Sequence, residues 1–249
     1  MRRIIFVLCI LMLCCCSGTA RVKQYKVKVV REYAHDTGAY TQGLFFDGDQ
    51  LCESTGQYGQ SSYRKVDLES GKVLEKMDFG RKYFGEGSAI LDGKLYILTW
   101  TNNVIFVYDP MTLKYEKSFS YPREGWGLTT DGKSLIASDG SSHIYFLSGD
   151  LKLQKTLNVT LDGRPVRYLN ELEWINGRIW ANVYTTDIIV IINPESGKVE
   201  GRIDCRGLLP SFMRAPETDV LNGIAVKGDR IFLTGKYWPR LYEVKLVEN

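Results

Sequence analysis

Histidine is almost absent from this sequence of 249 residues, which contains two histidines and six cysteines. Four of the cysteines fall within the first 20 residues, so the rest of the chain has only two. Because zinc sites are built mainly from cysteine and histidine, a zinc site of ordinary composition is nearly excluded. The composition therefore disfavours zinc-dependent chemistry, and no cofactor is expected.

Dense runs of basic residues and long helical patterns are also missing. The net charge is only +3 at pH 7, which disfavours nucleic acid and anionic membrane surfaces as partners. Twenty-four glycines and fifteen tyrosines, with little helical periodicity, favour an all-β protein that has many turns.

The first 20 residues differ from the rest of the chain. Arg2-Arg3 precedes an apolar run from Ile4 to Leu13, and Cys14-Cys15-Cys16-Ser17-Gly18 follows. This pattern is typical of a secretory signal and is too short for a comfortable membrane span. We therefore expect a signal peptide at 1–20 and an exported, periplasmic domain at 21–249. The cysteines after the apolar run also fit lipoprotein processing, which would tether the domain through lipid, and a plain cleaved signal is the alternative.

Five copies of one unit follow. Each unit opens with a polar or aromatic residue that stands beside glycine or another polar residue, and a pattern of up to four strands follows this opening. The units open at Thr41-Gln42-Gly43-Leu44, Gly85-Glu86-Gly87, Gly125-Trp126-Gly127-Leu128, Leu169-Asn170-Glu171-Leu172 and Leu221-Asn222-Gly223-Ile224. The first hairpin turns are predicted at Asp47-Gly48, Asp92-Gly93, Asp131-Gly132, Asn176-Gly177 and Lys227-Gly228. These turns are 45, 39, 45 and 51 residues apart, which is the period of a propeller blade.

The predicted fold is an all-β, five-bladed β-propeller whose ring is closed by an N-terminal strand. The last unit ends after its third strand at Asn249, whereas the alternating run from Gln24 to Glu32 precedes the first unit. We expect this run to complete the last blade and to remove an exposed sheet edge. Cys52 and Cys205 would then lie on blades that are not neighbours, so both are predicted to be buried and unpaired.

Two stretches of the sequence have features that the repeat does not explain. Arg206 to Val220 lengthens the connection into the fifth unit, either as a short helix or lid near the pocket or as a solvated loop. Gly127 to Ser134 satisfies the phosphate-loop pattern GxxxxGK[ST]. That chemistry requires a following helix, whereas Leu135 to Ser138 is a strand pattern, so nucleotide binding is rejected.

In a propeller, the residues that open the units converge at one mouth of the central channel. Gln42, Glu86, Trp126, and Asn170 with Glu171 are therefore expected there, joined by Trp100, Tyr184 and Lys236 from the loops after the second strands. An aromatic cavity with a few polar groups is the usual form of a small-ligand site. Glu86 is the strongest candidate, because its flanking glycines permit a tight turn and close approach of a ligand. Trp180 and Trp238 are assigned to packing, and Glu173 to a solvated or strand-pairing acid.

Several motifs, in order and in every unit, carry a family resemblance. They are Tyr40-Thr-Gln-Gly-Leu44, Ser54-Thr-Gly56 with Tyr58-Gly59 and Ser61-Ser62, Phe84-Gly-Glu-Gly87, Thr99-Trp100, Glu124-Gly-Trp-Gly127, Leu169-Asn-Glu-Leu-Glu173 and Thr234-Gly-Lys236. From about residue 24 to the C-terminus, the chain closely resembles the plant-type and bacterial glutaminyl cyclases, or glutamine cyclotransferases. This family has a five-bladed propeller fold, unlike the animal-type enzymes, which resemble zinc aminopeptidases.

The resemblance implies cyclisation of the N-terminal glutamine of peptides and proteins to pyroglutamate, with release of ammonia and without a metal. It makes Glu86 the general acid/base, supported by Lys236 and Asn170. The substrate-binding residues that it implies are Gln42, Phe84, Trp100, Trp126, Tyr184 and Tyr40. Tyr184 and Tyr40 stand where the plant pattern has tryptophan and phenylalanine, which keeps the aromatic wall but adds hydroxyls. The apolar setting is expected to raise the pKa of Glu86 towards the working pH.

Two other classes of function remain as alternatives to this monomeric enzyme. A non-catalytic propeller could bind peptides or proteins on its face, although such a module has no need of a desolvated acid beside an amine. A propeller hydrolase or lactonase would usually need several inward-facing acidic and amide ligands for a metal, and no adequate cluster is found in the sequence.

Overall fold

The computed structural model describes residues 21–249, so the predicted signal peptide at 1–20 lies outside the described residues. The fold is all-β, as the sequence predicted, with 22 strands in the described range. One three-residue 3-10 helix, Ser211–Met213, lies in the long connection before the fifth unit. No helix within 21–249 is long and apolar enough to cross a membrane.

The strands fall into the five predicted units, preceded by one N-terminal strand, β1 (Lys23–Ala34). The first two units are β2 (Thr41–Asp47), β3 (Gln50–Thr55), β4 (Ser62–Val66) and β5 (Val73–Asp78), then β6 (Gly85–Leu91), β7 (Lys94–Thr99), β8 (Val104–Tyr108) and β9 (Tyr115–Ser120). The third is β10 (Leu128–Thr130), β11 (Leu135–Ser138), β12 (His143–Leu147) and β13 (Leu153–Asn158), followed by a hairpin of β14 (Thr160–Leu161) and β15 (Arg164–Pro165). The last two are β16 (Leu169–Ile175), β17 (Arg178–Val183), β18 (Ile188–Ile192) and β19 (Val199–Asp204), then β20 (Leu221–Lys227), β21 (Arg230–Gly235) and β22 (Arg240–Glu248).

Each of the first three units is a separate four-stranded antiparallel sheet, whereas the last two share one sheet of eight strands. The N-terminal strand β1 lies antiparallel to β22 from Tyr25–Glu248 to Ala34–Arg240, which gives the fifth unit its fourth strand as expected. The sequence did not predict that β1 also pairs in parallel with β19, from Lys23–Gly201 to Lys26–Asp204. This second pairing is what joins the last two units into one sheet.

The hairpin turns lie at or next to the predicted dipeptides. Asp92-Gly93 and Asn176-Gly177 both have positive φ at each residue, as a type I′ turn requires. In the first and fifth units the strand pairing places the two-residue turn one position later than predicted, at 48–49 and 228–229. The phosphate-loop pattern spans β10 and the turn that follows it, and the strand β11 comes next, as predicted, where a phosphate-binding loop would require a helix.

The hydrophobic core lies between consecutive units. Leu98 and Ile105 of the second unit, for example, belong to one cluster with Leu128 and Leu135 of the third. In the second unit, for example, the second strand β7 is an almost continuous apolar run that is buried on both faces, whereas the outer strand β9 is mostly exposed. Burial of these runs therefore holds each unit against the next.

Packing accounts for Trp180, Trp238 and the two cysteines of the described range. Trp180 and Trp238 are both buried in the cluster between the last two units, so their predicted packing role is confirmed. Cys52 and Cys205 are buried in different clusters and are both free, also as predicted.

The first strands of the units lie next to one another. β2 contacts β6, β6 contacts β10, β10 contacts β16, β16 contacts β20, and β20 returns to contact β2. The residues that open the five units are therefore brought close together, although they are far apart in sequence.

Candidate active site

A cavity of about 350 Å³ lies at the end of the molecule where the first strands begin. Its lining comprises Tyr40, Gln42, Gln57, Tyr58, Phe84, Glu86, Trp100, Trp126, Asn170, Tyr184 and Lys236. All nine residues to which the family resemblance gives a catalytic or substrate-binding role are among these eleven, whereas Glu171, which was also expected at this mouth, is not. Gln57 and Tyr58 were not selected, although Tyr58 stands in one of the motifs that carry the resemblance.

A β-bulge places the key side chain in four of the five units. In the second unit Gly85 pairs with Thr99 and Ser88 with Ile97, so the first strand has one extra residue at Glu86. The same irregularity occurs at Gln42, Asn170 and Asn222. Because a bulge bends its strand and re-aims the side chain, it turns these residues out of the ordinary strand alternation.

The glycines beside Glu86 allow close packing of strands rather than a turn. Neither has a positive φ. A Cβ atom on Gly87 would lie 2.3 Å from the backbone nitrogen of Leu128, and one on Gly85 would lie 2.5 Å from the ring of Phe79. Gly87 N also donates a hydrogen bond of 2.7 Å to the carbonyl of Trp126. The prediction of a tight turn here was wrong, because the glycines permit the first strands of two units to approach each other.

Glu86 is the only carboxylic acid in the cavity lining within the described range, and it is 4% exposed. Burial raises its pKa well above the usual range, while the positive charge of Lys236 opposes this effect and the negative charge of Glu124 adds to it. The amide of Gln42 donates a 3.1 Å hydrogen bond from Nε2 to Glu86 Oε1. The carboxyl group is thus fixed in place and holds its proton to an unusually high pH.

Lys236 is held between two aromatic faces at the same cavity, and it is 2% exposed. Its Nζ lies 4.5 Å from the ring centroid of Tyr40 and 4.7 Å from that of Tyr184. Ring faces attract a cation, so both tyrosines stabilise the ammonium form. Burial nevertheless lowers the pKa of Lys236, while the negative charges of Glu86 and Asp219 oppose the shift.

The amide side chains have distinct environments. Asn170 Oδ1 is buried and accepts no hydrogen bond from the described residues. Asn222, which the sequence analysis did not select, donates from Nδ2 to the carbonyl of Thr41 at 2.9 Å and to Gln42 Oε1 at 3.3 Å. Gln42 in turn donates to Glu86, so Asn222 orients the group that holds the acid. The repeat could have identified Asn222 as a site residue, because it has the same position in its unit as Glu86.

The aromatic wall is joined by a carboxylate that the sequence analysis also missed. Glu124 Oε2 accepts hydrogen bonds from Trp100 Nε1 at 2.9 Å and from Trp126 Nε1 at 3.0 Å. Phe84 packs on Trp100, and Tyr184 on Trp126, with 5.5 Å between ring centroids in both pairs. One oxygen atom therefore fixes the two indoles in a set relative position.

Glu171 and Glu173 do not line this cavity. Glu171 was expected at the site, but its oxygens accept hydrogen bonds from the backbone of Leu44 at 3.2 Å and Ile224 at 2.9 Å, on two other first strands. Its pKa is raised well above the usual range by burial and by the charge of Glu173. Both carboxyls therefore belong to the interior of the molecule.

The solvated reading of Glu173 is wrong. The side chain is buried and accepts hydrogen bonds from Thr129 Oγ1 at 3.1 Å and from the backbone of Val226 at 3.2 Å. Burial raises its pKa to about 8. It lines a separate cavity of about 270 Å³, together with parts of β2, β6, β10 and β20.

The connection from 206 to 220 supports the loop that carries Lys236. Leu208 and Leu209 are buried in the core, so the solvated-loop reading is wrong for these residues. The carbonyl of Val220 accepts the backbone hydrogen bond of Lys236 at 2.9 Å, and that of Asp219 accepts Trp238 Nε1 at 2.9 Å. None of its residues lines the cavity, although it contains the predicted short helix.

The donor groups of the chain do not assemble into a metal centre in the described range. No group of three or more histidine, cysteine, aspartate or glutamate side chains between 21 and 249 is placed to hold an ion. Metal-independent chemistry stays a prediction, and the chelator experiment below tests it.

Comparison with known proteins bears out the family resemblance. The model of the glutamine cyclotransferase family matches residues 5–246. A glutaminyl-peptide cyclotransferase of Arabidopsis thaliana is 49% identical in an alignment of 232 residues that covers 89% of this chain and 71% of that protein.

Solved structures agree. The crystal structure of Myxococcus xanthus glutaminyl cyclase matches with a TM-score of 0.84 and 39% identity, over 92% of this chain and 100% of that one. Kuenenia stuttgartiensis hydrazine synthase matches with a TM-score of 0.50 and 16% identity, over 87% of this chain and 64% of that one, a likeness of fold alone. The match over nearly the whole chain and the shared sequence together place this protein in the glutamine cyclotransferase family.

Proposed function

We propose that this chain is a glutaminyl-peptide cyclotransferase that works without a metal. The α-amine of an N-terminal glutamine attacks the carbon of its own γ-carboxamide. A five-membered lactam forms, the bond to the amide nitrogen breaks, and ammonia leaves. One proton must leave the attacking amine and one must reach the departing nitrogen, so a single carboxyl group can serve both transfers.

The observation that carries the proposal is the buried carboxyl of Glu86 in an aromatic cavity. Burial raises the pKa of this carboxyl, and a general acid/base is most effective when its pKa is close to the working pH. Gln42 holds Oε1, which leaves Oε2 to face the substrate. Glu86 would take the proton from the amine and return it to the leaving nitrogen.

Lys236 and Asn170 complement the substrate in charge and hydrogen bonding. The Lys236 ammonium group would stabilise the negative charge that develops on the carboxamide oxygen, a contribution typically worth about 3 kcal/mol. The unpartnered Oδ1 of Asn170 would accept a hydrogen bond from the amine of the substrate. With both groups held by packing, the amine and the carboxamide meet at reacting distance.

The two fixed indoles of Trp100 and Trp126 make a water-poor wall. A low-polarity wall strengthens the electrostatic effects of Glu86 and Lys236, and it favours the folded-back side chain over the extended one. The volume of about 350 Å³ lies within the usual range for small-molecule pockets and exceeds what one glutamine side chain fills.

The test is ammonia release from the dipeptide Gln-Gly, with the pyroglutamyl product identified by mass spectrometry. We expect release that is unaffected by a chelator such as EDTA, because the acid, the amine and the amides all come from the protein. Loss of activity with EDTA, restored by a divalent ion, would point to the hydrolase or lactonase class instead. No release from a folded sample would favour a non-catalytic peptide-binding protein.

Glu124 is expected to affect substrate binding indirectly, because it holds the indoles of Trp100 and Trp126 in place. Glu124→Ala frees both indoles and should raise KM about tenfold. Glu124→Gln keeps an acceptor oxygen, so KM should change less, while loss of the negative charge lowers the pKa of Glu86 and shifts the acid limb of the kcat profile to lower pH. Equal KM values for the two variants and the wild type would contradict this role, and tryptophan fluorescence monitors the wall independently.

We also propose that the five units form a five-bladed propeller closed by β1. The support is the circular order of contacts among the first strands, together with β1 as the outer strand of the fifth unit. The central axis would then run from the cavity at Glu86 past Glu171 to the cavity at Glu173. An experimental structure in which β20 is not adjacent to β2 would contradict the closure.

Export is a further proposal and rests on the sequence at 1–20. A basic start, a short apolar run and three cysteines fit a periplasmic protein, with a lipid tether if one of these cysteines is processed. The substrates would then be other exported peptides and proteins with N-terminal glutamine, and the enzyme would act as a monomer. The mass of the mature N-terminus and sedimentation of the purified protein test these points.

A further inference from the structure

An aromatic rim at the mouth of the cavity extends the wall of the pocket to the surface. It consists of Tyr58, Phe84 and Trp100, and two of these are exposed at the surface. Tyr58 is 49% exposed and Trp100 is 36% exposed, whereas Phe84 between them is buried. All three also line the cavity, so the rim is continuous with the pocket.

The rings of the rim are held in place. The Phe84 centroid lies 5.4 Å from that of Tyr58 and 5.5 Å from that of Trp100, with interplanar angles of 73° and 64°. The hydroxyl of Tyr58 lies 3.1 Å from Thr101 Oγ1, which links the loop after β3 to the loop after β7. Trp100 is fixed from its other side by Glu124. A large exposed aromatic surface that is rigid in this way is well suited to bind an apolar side chain.

Gln57, which lies next to the rim, has an unusual backbone conformation. Its φ is 86°, a value that side chains other than glycine rarely adopt, and its side chain lines the cavity. Strained residues persist where the surrounding structure holds them, and they cluster at ligand sites. Ser61 fixes this one, since its backbone nitrogen and its hydroxyl donate to the carbonyl of Gln57 at 2.8 and 2.7 Å.

We infer, on the basis of the proposed function, that this rim binds the second residue of the substrate and favours an aromatic or large apolar side chain there. The glutamine side chain and its amine occupy the cavity, so the peptide leaves from the α-carbon through the mouth. The second side chain then lies on Tyr58 and Trp100, with Phe84 beneath. The amide of Gln57 is placed to hydrogen-bond the first peptide group at the same point.

Rates with two dipeptides test this inference. The wild type should turn over Gln-Phe with a kcat/KM about three- to tenfold above that for Gln-Gly, since aromatic contacts are worth on the order of 1 kcal/mol. Tyr58→Ala should lower kcat/KM more for Gln-Phe than for Gln-Gly, so that the ratio falls towards one. Tyr58→Phe should keep the ratio, because the ring remains.

A control variant, together with the ratio of kcat/KM for the two dipeptides, tests the rim separately from the cyclase activity. Tyr115→Ala removes an exposed tyrosine from β9, away from the cavity, and should leave the ratio unchanged. A wild-type ratio near one, or a ratio that Tyr58→Ala does not change, would overturn the rim while the cyclase activity stands. Failure of the wild type to release ammonia from either dipeptide would overturn both.

Discussion

Glu86→Gln should lower kcat for ammonia release from Gln-Gly by about 10²- to 10⁴-fold, the usual contribution of a positioned general acid/base. The glutamine is isosteric and keeps an acceptor oxygen for the amide of Gln42, so the pocket should retain its shape. What is lost is the ability to take a proton from the attacking amine and deliver it to the leaving nitrogen. The effect should appear in kcat much more than in KM.

The wild-type pH profile provides the matching measurement. Because burial raises the pKa of Glu86, the acid limb of kcat should lie above the ordinary range of a glutamate and rise as the carboxyl loses its proton. Glu86→Gln should lose this limb, and its thermal midpoint should stay close to that of the wild type. Substantial activity in a folded variant would remove Glu86 from this role, since no other carboxyl within 21–249 lines the cavity.

Glu173→Gln should stabilise the protein at high pH and have little effect at low pH. The carboxyl binds a proton more tightly in the folded state, where its pKa is about 8, than in the unfolded chain, where its pKa is near the ordinary glutamate value of 4.5. Between these two values the folded state holds more protons, so stability falls as pH rises. The full loss above pH 8 is on the order of 5 kcal/mol, and a neutral amide does not suffer it.

Thermal or urea unfolding at pH 5, 7 and 9 checks this expectation. The difference in the free energy of unfolding between variant and wild type should grow from pH 5 to pH 9. The isostere keeps an oxygen for the backbone of Val226 and an amide that can bond Thr129, so the fold should be preserved. Glu217→Gln, on an exposed part of the long connection, is the matched control and should give no such trend. A pH-independent difference for Glu173→Gln would show that the carboxyl ionises without cost.

The repeat was readable from the sequence because it depends on short-range features. Turn dipeptides and strand alternation act over a few residues, and their spacing gave the five units, the order of their strands and the place of β1 beside β22. Because all units share one plan, equal positions in them must meet in space. That is why the nine residues with an implied catalytic or binding role line one cavity, including Lys236, which by itself is typical of a surface lysine.

Contacts between distant side chains were not readable. Trp100 and Trp126 both donate hydrogen bonds to Glu124, and Asn222 donates to Gln42, which donates to Glu86. These contacts depend on angles between units that no local sequence pattern specifies. For the same reason Glu173 looked like a solvated acid, although strands remote in sequence enclose it.

The sequence by itself determined an all-β repeat, the residues that open its units and the family to which they belong. It did so because hairpin chemistry and hydrophobic periodicity are local properties of the chain. Only the tertiary structure decided that Gly87 serves strand packing, that β1 also pairs with β19, and that burial sets the pKa of Glu86 and Lys236. Those features arise from desolvation and from close approach between units, and both exist only after the chain has folded.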